Sequence, residues 1–294
     1  MKGQIIKTEN GIFTIINNNK LFFAVARGNL KHRGICVGDY VEFSQIENED
    51  KYIINSVNNR KNILIRPLIS NIDNVIIVIA ATPQVDFLLI DKIIINCIEN
   101  KITPYICINK SDILPEKLVE VIKDEYTLSV NKIIITNALS KFDRGIIQIN
   151  KLLEFGSVTI LTGQSAVGKS SILNALLGFD IATVGSLSEK SQRGKHTTRH
   201  SEIFVLSSGA CIVDTPGFSL LDLNKELKPE DIRLYYADFE DYSHKCRFRS
   251  CTHTVEAGCE VIKAVECGKI NTNRYERYKK LYLAQKEVWK NKWL

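Results

Sequence analysis

The sequence predicts an α/β protein in three parts: an N-terminal five-stranded OB-type β-barrel, a central doubly wound and mostly parallel sheet, and a C-terminal helical segment organised by cysteines. Three observations predict it. Short apolar runs broken by turn residues fill the first 62 positions, and continuous apolar strands then alternate with helical stretches. Finally, Cys246, Cys251, Cys259 and Cys267, four of the eight cysteines, fall within 22 residues.

The barrel occupies residues 1–62. In "GQIIKTENGIFTIINNNKLFFAVARG" the apolar runs are punctuated by Glu9-Asn10-Gly11 and by Asn17-Asn18-Asn19, and "GDYVEFSQI" and "KYIINSVN" follow. Five short strands with no helical period fit a small barrel. The pattern fits an OB-fold first and does not by itself separate it from an SH3-like barrel.

The sheet occupies residues 63–222. "NVIIVIAA" is a continuous apolar run, as expected of a strand buried on both faces. The helical "DFLLIDKIIINCIEN", the strand "PYICIN", a helix from near Pro115, the strands "KIIIT" and "SVTILTG", a helix from Lys169, and the strands "EIFVLSS" and "ACIVDT" complete it. Strands alternating with helices imply βαβ units. Residues 223–294 read as helical or irregular, ending in a basic helix whose Tyr275, Tyr278, Tyr282 and Trp289 read as core, with RNA contact as the alternative.

Bulk properties exclude several classes. No apolar run approaches a membrane span, and the start "MKGQIIKTENG" lacks the apolar stretch of a signal peptide, so a cytoplasmic location is expected. Residues 1–62 hold 9 Lys/Arg against 6 Asp/Glu (+3), residues 63–243 hold 18 against 22 (−4), and residues 244–294 hold 12 against 5 (+7). Basic ends around an acidic middle suit a polyanion contacted from both ends; a merely solvated basic helix is the alternative. Cys36, Cys97, Cys107 and Cys211 read as buried thiols.

Chemistry is legible at the strand ends. "GQSAVGKS", Gly163 to Ser170, fits G-x-x-x-x-G-K-[ST] between a strand and a helix. Gly163 and Gly168 let the backbone of Gln164, Ser165, Ala166 and Val167 wrap phosphates, and the helix N-terminus favours the anion. Lys169 is expected to reach the β- and γ-phosphates and Ser170 to ligate Mg²⁺, with Ser171 beside it. Asp214, closing "ACIVD", is the Walker-B candidate for Mg²⁺, and Gly217 of "DTPG" offers an N–H to the γ-phosphate. "GKHTTRH" supplies Thr197 or Thr198 to the Mg²⁺ shell. His196 is a candidate to approach the attacking water, or is simply solvated.

"NKSD", Asn109 to Asp112, stands about 50 residues before the phosphate loop, at the end of its own strand. A carboxylate at Asp112 accepts from guanine N1–H and N2–H₂ together, which adenine cannot satisfy. Lys110 lies along the base, Ser111 completes the turn, and Ala138 of "TNA" offers an N–H to the guanine O6.

The order "NKSD", "TNA", "GQSAVGKSS", "GKHTTRH", "DTPGF" resembles that of a circularly permuted GTPase. With a barrel before it and a cysteine-rich tail behind, it resembles the ribosome small subunit-dependent GTPase A (RsgA/YjeQ) family over nearly the whole chain. Asn137 departs from the Ser that many GTPases carry before that Ala. Thr198 is favoured over Thr197 by this resemblance, since it precedes Arg199. Phe218 stands where Ras-like proteins place a water-orienting Gln, so slow intrinsic hydrolysis and a stimulating partner are expected.

Cys246, Cys251, His253 and Cys259 form C-x₄-C-x-H-x₅-C, a Cys₃His set for one structural Zn²⁺, with Cys267 and His244 as possible substitutes. The resemblance supports the first four. Lys245, Arg247 and Arg249 between them would face phosphates. The expected protein is a monomeric, GTP- and GDP-binding hydrolase that takes the small ribosomal subunit and its rRNA as partner. A nucleotide-sensing RNA module and an ATP-using P-loop protein are the alternatives.

Overall fold

The computed structural model describes residues 1–18, 20–30, 34–46, 51–65, 68–140, 143–184, 202–206, 208–214 and 222–292. Five strands open the chain: β1 (Lys2–Glu9), β2 (Ile12–Asn17), β3 (Lys20–Ala26), β4 (Tyr40–Gln45) and β5 (Tyr52–Val57). They close in the order β1-β2-β3-β5-β4, with β3 and β5 parallel and the other pairs antiparallel, and this OB-type order is what the strand pattern alone left open. Alternation fills the interior with Ile5, Phe13, Ile15, Ala24, Val41, Phe43 and Ile54.

A short antiparallel pair, β6 (Ile63–Ile65) with β7 (Leu68–Ser70), joins barrel to sheet. There the Asp39 carboxylate is fully buried and accepts from Arg60 Nε at 2.7 Å, Arg60 Nη2 at 2.8 Å, Ser70 Oγ at 2.6 Å and the Cys36 N–H at 2.9 Å. A buried charge with all its lone pairs met fixes how the barrel seats.

The six-stranded sheet is built from β8 (Asn74–Ile79), β9 (Thr103–Ile108), β10 (Ile133–Ile135), β11 (Val158–Thr162), β12 (Glu202–Val205) and β13 (Cys211–Asp214), in the order β10-β9-β8-β11-β13-β12. Only β12 runs antiparallel to its neighbour. Its helices are α1 (Phe87–Glu99), α2 (Glu116–Tyr126), α3 (Arg144–Leu152) and α4 (Lys169–Val184). The period of two explains the apolar runs: in β8, Val75, Ile77 and Ile79 join the core under α1 and α2, while Ile76 and Val78 join the core under α3 and α4. Burying each such side chain contributes roughly 1.5–3 kcal/mol.

The tail folds as α5 (Glu240–Ser243), α6 (Glu260–Glu266) and α7 (Thr272–Lys290) around a third core. Tyr275, Tyr278 and Tyr282 are buried in it, as their spacing predicts, and Trp289 is half-buried. Cys36, Cys97, Cys107 and Cys211 are buried free thiols, and burial pushes the thiols of Cys97 and Cys107 well up. Among the described residues no helix is long and apolar enough to cross a membrane.

Candidate nucleotide and zinc sites

The phosphate loop leaves the end of β11, in the middle of the sheet, and enters α4 at Lys169. Gly163 has φ +132°, and a Cβ there would sit 2.1 Å from the Val78 carbonyl oxygen of β8. Gly168, at φ +99°, would drive a Cβ to 2.2 Å from Asn109 Nδ2. Both glycines are therefore required by a left-handed backbone and by close approach. Ala166 also has positive φ, +64°, and accepts a 2.8 Å hydrogen bond from Lys110 Nζ at its carbonyl.

"NKSD" lies against this loop. Asn109, 3% exposed, donates from Nδ2 to the Val167 carbonyl at 2.9 Å and accepts the Ala138 N–H at 3.2 Å. Lys110 itself is left-handed at φ +61°, and its ammonium also donates to the Thr82 carbonyl at 3.1 Å. One side-chain pair thus ties together the phosphate loop, the "TNA" loop and the loop before α1. Ser111 and Asp112 follow in a single 3₁₀ turn, both exposed, and Asp112 has no hydrogen-bond or ionic partner among the described residues. Its carboxylate is free to accept.

The "TNA" loop is held by α3. Thr136 Oγ1 donates to Asp143 Oδ1 at 2.6 Å, and Asp143 caps α3 by accepting the Ile146 N–H at 3.0 Å. Burial works against the Asp143 carboxylate, but the bonds from Thr136 and the backbone outweigh it and hold its pKa below the usual range. The Leu139 N–H goes to Asn137 Oδ1 at 3.2 Å, so Asn137 closes the turn with its own side chain.

Lys169 folds back to donate to the carbonyls of Gly163 at 2.8 Å and Gln164 at 2.7 Å, which holds its ammonium over the loop. Ser165 is exposed, and Ser170 and Ser171 open α4. Asp214 ends β13 in register with Leu161 of β11, next to the phosphate loop. His196, Thr197, Thr198, Gly217 and Phe218 lie outside the described residues.

In the C-terminal module, the donor atoms of Cys246, Cys251, His253 and Cys259 lie within 4.8 Å of one another. A tetrahedral zinc with bonds of about 2.3 Å to sulfur and about 2.0–2.1 Å to nitrogen needs edges of roughly 3.8 Å (S···S) and roughly 3.6 Å (S···N). Cys246 Sγ is 3.9 Å from Cys259 Sγ, and His253 Nδ1 is 3.6 Å and 3.4 Å from those two sulfurs. The four donors fit zinc.

The surroundings prepare them. His253 Nε2 lies 3.3 Å from Ser243 Oγ, which donates at 2.8 Å to the Phe239 carbonyl, so the imidazole proton belongs on Nε2 and Nδ1 is left to ligate. Burial pushes the His253 pKa down to about 4, keeping the ring neutral. Cys259 caps α6 and accepts the Ile262 N–H at 3.4 Å, which partly offsets the burial that pushes its thiol up. Tyr275 Oη donates to the His253 carbonyl at 2.9 Å and Tyr278 Oη to the Thr252 carbonyl, so α7 carries the ligand loop.

Two groups escaped sequence reasoning. Gln164 was legible only as loop backbone, yet its side chain bridges to the loop before α1. Arg274 and Arg277 of α7 meet Asp91 of α1 in a buried ionic joint. An Asp within the apolar run "FLLIDKIIINCI" was the available signal for the second.

A phosphate loop and an N-K-x-D turn stapled together at one sheet edge, in reversed chain order, define a circularly permuted P-loop GTPase. The family model RsgA GTPase matches residues 57–224, and the RsgA N-terminal domain model matches residues 2–53. The chain therefore belongs to the RsgA family. Curated relatives named "Small ribosomal subunit biogenesis GTPase RsgA" include one from Clostridium botulinum (strain Eklund 17B / Type B), 38% identical over 298 residues and covering 100% of both chains. Another, from Halalkalibacterium halodurans, is 40% identical over 285 residues, 94% of each chain. Among solved structures, YjeQ from Thermotoga maritima is 29% identical with a TM-score of 0.79, over 97% of this chain and 98% of that one. YloQ, described as a circularly permuted GTPase, is 28% identical with a TM-score of 0.75, over 97% and 95%.

Proposed function

We propose that this GTPase acts in late assembly of the small ribosomal subunit, hydrolysing GTP to GDP and phosphate with stimulation by the subunit. The observation that carries it is Asn109. By bonding Val167 and Ala138 at once, it joins a guanine-reading turn to a phosphate loop that the sequence holds far apart. The names of the full-length relatives support the ribosomal part of the reading.

In this reading Asp112 accepts guanine N1–H and N2–H₂, the stem of Lys110 lines the base, and the Ala138 N–H is shared between Asn109 Oδ1 and the guanine O6. The N–H groups from Gly163 to Gly168 and the α4 N-terminus take the phosphates, with Lys169 on the β- and γ-oxygens and Gly217 sensing the γ-phosphate. Ser170, Thr198 (or Thr197) and Asp214 hold Mg²⁺, which when bound neutralises phosphate charge. His196 approaches the attacking water, and the subunit supplies the alignment that Phe218 cannot. Residues 1–62 and 223–294 grip rRNA from either side of the GTPase part, residues 63–222, and the chain works as a cytoplasmic monomer.

GTP turnover of the purified protein, alone and with small or large subunits, tests the reading. Stimulation by small subunits only is expected, on the order of 10³-fold or more. A rate unmoved by either subunit overturns it and leaves a nucleotide-sensing RNA module.

A further inference from the structure

Between the zinc ligands Cys246 and Cys251 runs Arg247-Phe248-Arg249-Ser250, and all four residues are exposed. Phe248 is 47% exposed and stands outside the apolar core of the tail. Its ring has one neighbour of note, the Arg247 guanidinium, whose carbon lies 5.4 Å from the ring centre. A single exposed ring is ordinary on a protein surface; this one is set apart by the exposed cations beside it in the chain, Arg247 and Arg249.

The charges around it are uncommitted. In the same module Lys263, Lys279, Lys290 and Lys292 each pair with a glutamate, while Lys269, Lys280 and Lys286 have no carboxylate partner among the described residues. Lys245, Arg247 and Arg249 have no carboxylate partner among the described residues; Lys245 instead lies 5.7 Å over the Tyr242 ring. Three cations without a carboxylate partner among the described residues, all within three positions of one exposed ring, suit an anion that also carries a flat apolar surface.

The loop is also preset. The Arg247 N–H donates to the Gly258 carbonyl at 3.2 Å, and the Cys251 N–H to the Phe248 carbonyl at 3.2 Å. The Arg247 stem packs over Gly258, where an added Cβ would lie 3.2 Å from Arg247 Cβ. With ligands on both sides, the backbone that carries the ring is set before any partner arrives, which lowers the entropy lost on binding.

We propose that Phe248 is a stacking platform for an unpaired RNA base, with Lys245, Arg247 and Arg249 on the flanking phosphates. The proposal rests on the ribosomal reading above and names the form of RNA the zinc module takes. Duplex RNA hides its base faces, and phosphate contact alone has no use for the ring; an unpaired base offers one flat face to stack on.

The test uses the full-length, zinc-loaded protein with a short fluorescent single-stranded RNA and a blunt duplex, over a range of salt. Phe248→Ala is expected to keep its zinc and to bind the single strand about 5- to 150-fold more weakly, with duplex affinity and salt slope unchanged. Phe248→Trp should restore affinity, and its added indole fluorescence should fall on binding. Arg249→Ala should reduce the single-strand salt slope by about 0.7. A Phe248→Ala protein that binds single strands normally, a Phe248→Trp protein whose fluorescence ignores RNA, or equal losses on duplex each overturn the proposal. So does a loop that prefers poly-glutamate, which would assign it to an acidic protein. Subunit-stimulated turnover, measured on the same preparations, stands or falls separately and tests the ribosomal reading.

Discussion

Gln164 in the phosphate loop and Asp86 at the cap of α1 are joined directly: the Asp86 N–H donates to Gln164 Oε1 at 3.0 Å. The other end of the same amide donates from Nε2 to the Gln84 carbonyl at 3.0 Å. Asp86 in turn caps α1 through the Leu89 N–H, so one amide fastens the phosphate loop to the start of a helix. Gln164→Ala loses both bonds and frees the loop before nucleotide binds. Two such bonds contribute about 1–3 kcal/mol, so GTP affinity should fall about 5- to 150-fold in a fluorescent-nucleotide titration. Unchanged affinity would mean the loop is ordered without this bridge.

The far face of α1 carries the second joint. Asp91 accepts from Arg274 Nη1 at 3.1 Å and from Arg277 Nε at 2.6 Å, and both guanidiniums have further partners in Asp238, Ser129 and Glu125. Arg274 is 2% exposed and lies 4.8 Å from the ring centres of both Tyr126 and Tyr236. Asp91→Ala leaves one buried donor of each guanidinium, Arg274 Nη1 and Arg277 Nε, without its acceptor. It should cost about 3–5 kcal/mol in equilibrium unfolding, far more than loss of the exposed pair Lys290–Glu287, which is expected near 0–1 kcal/mol.

What was legible in the sequence follows a physical rule. The Ile-rich strands of the sheet read as buried because burial on both faces demands continuous apolar runs, and the phosphate loop read as such because glycine spacing is set by backbone geometry. The zinc set read because in this chain its four donors, Cys246, Cys251, His253 and Cys259, lie within one short segment. Gln164 did not read, because its partners lie 78 and 80 residues away and glutamine suits any polar loop. Arg274 and Arg277 did not read because arginine on a basic helix normally faces water; only the Asp91 opposite them makes burial tolerable. The barrel read as OB-type first, but its separation from an SH3-like barrel was not legible, since strand pairing is a long-range choice that alternation does not encode.

Base selectivity gives a reversible prediction. Asp112 presents an unpartnered carboxylate that suits two guanine donors. Asn in its place still accepts from N1–H but offers a donor where guanine N2–H₂ is also a donor; xanthine carries an oxygen there. Asp112→Asn should lose roughly 10- to 150-fold in GTP affinity and gain affinity for XTP, read by nucleotide competition. Loss of GTP without any gain for XTP would move the base-reading role elsewhere.

Zinc retention should depend on a residue that never touches the metal. Glu256 accepts from the Thr252 N–H and Thr252 Oγ1 at 2.6 Å each, from the Thr254 N–H at 2.9 Å and from the Val255 N–H at 3.2 Å. These donors flank His253, whose backbone is left-handed at φ +56°, a conformation that a non-glycine residue keeps only when its surroundings impose it. Burial opposes the charged form, but the bonds win and bring the Glu256 carboxyl down to about 2 from its ordinary 4.5. Because the folded value is the lower one, the contribution is complete above about pH 4.5 and is lost only as pH falls toward about 2. Glu256→Gln keeps one acceptor oxygen for four donors and turns an N–H₂ toward others. The variant should hold zinc about 10- to 100-fold more weakly in competition with a chelator, the usual scale for a residue that supports a ligand from behind. Its stability deficit against the native protein should be the same at pH 6 and pH 8, both above the titration window. A deficit that changes between those two values would show that another group, not this carboxylate, holds the His253 turn.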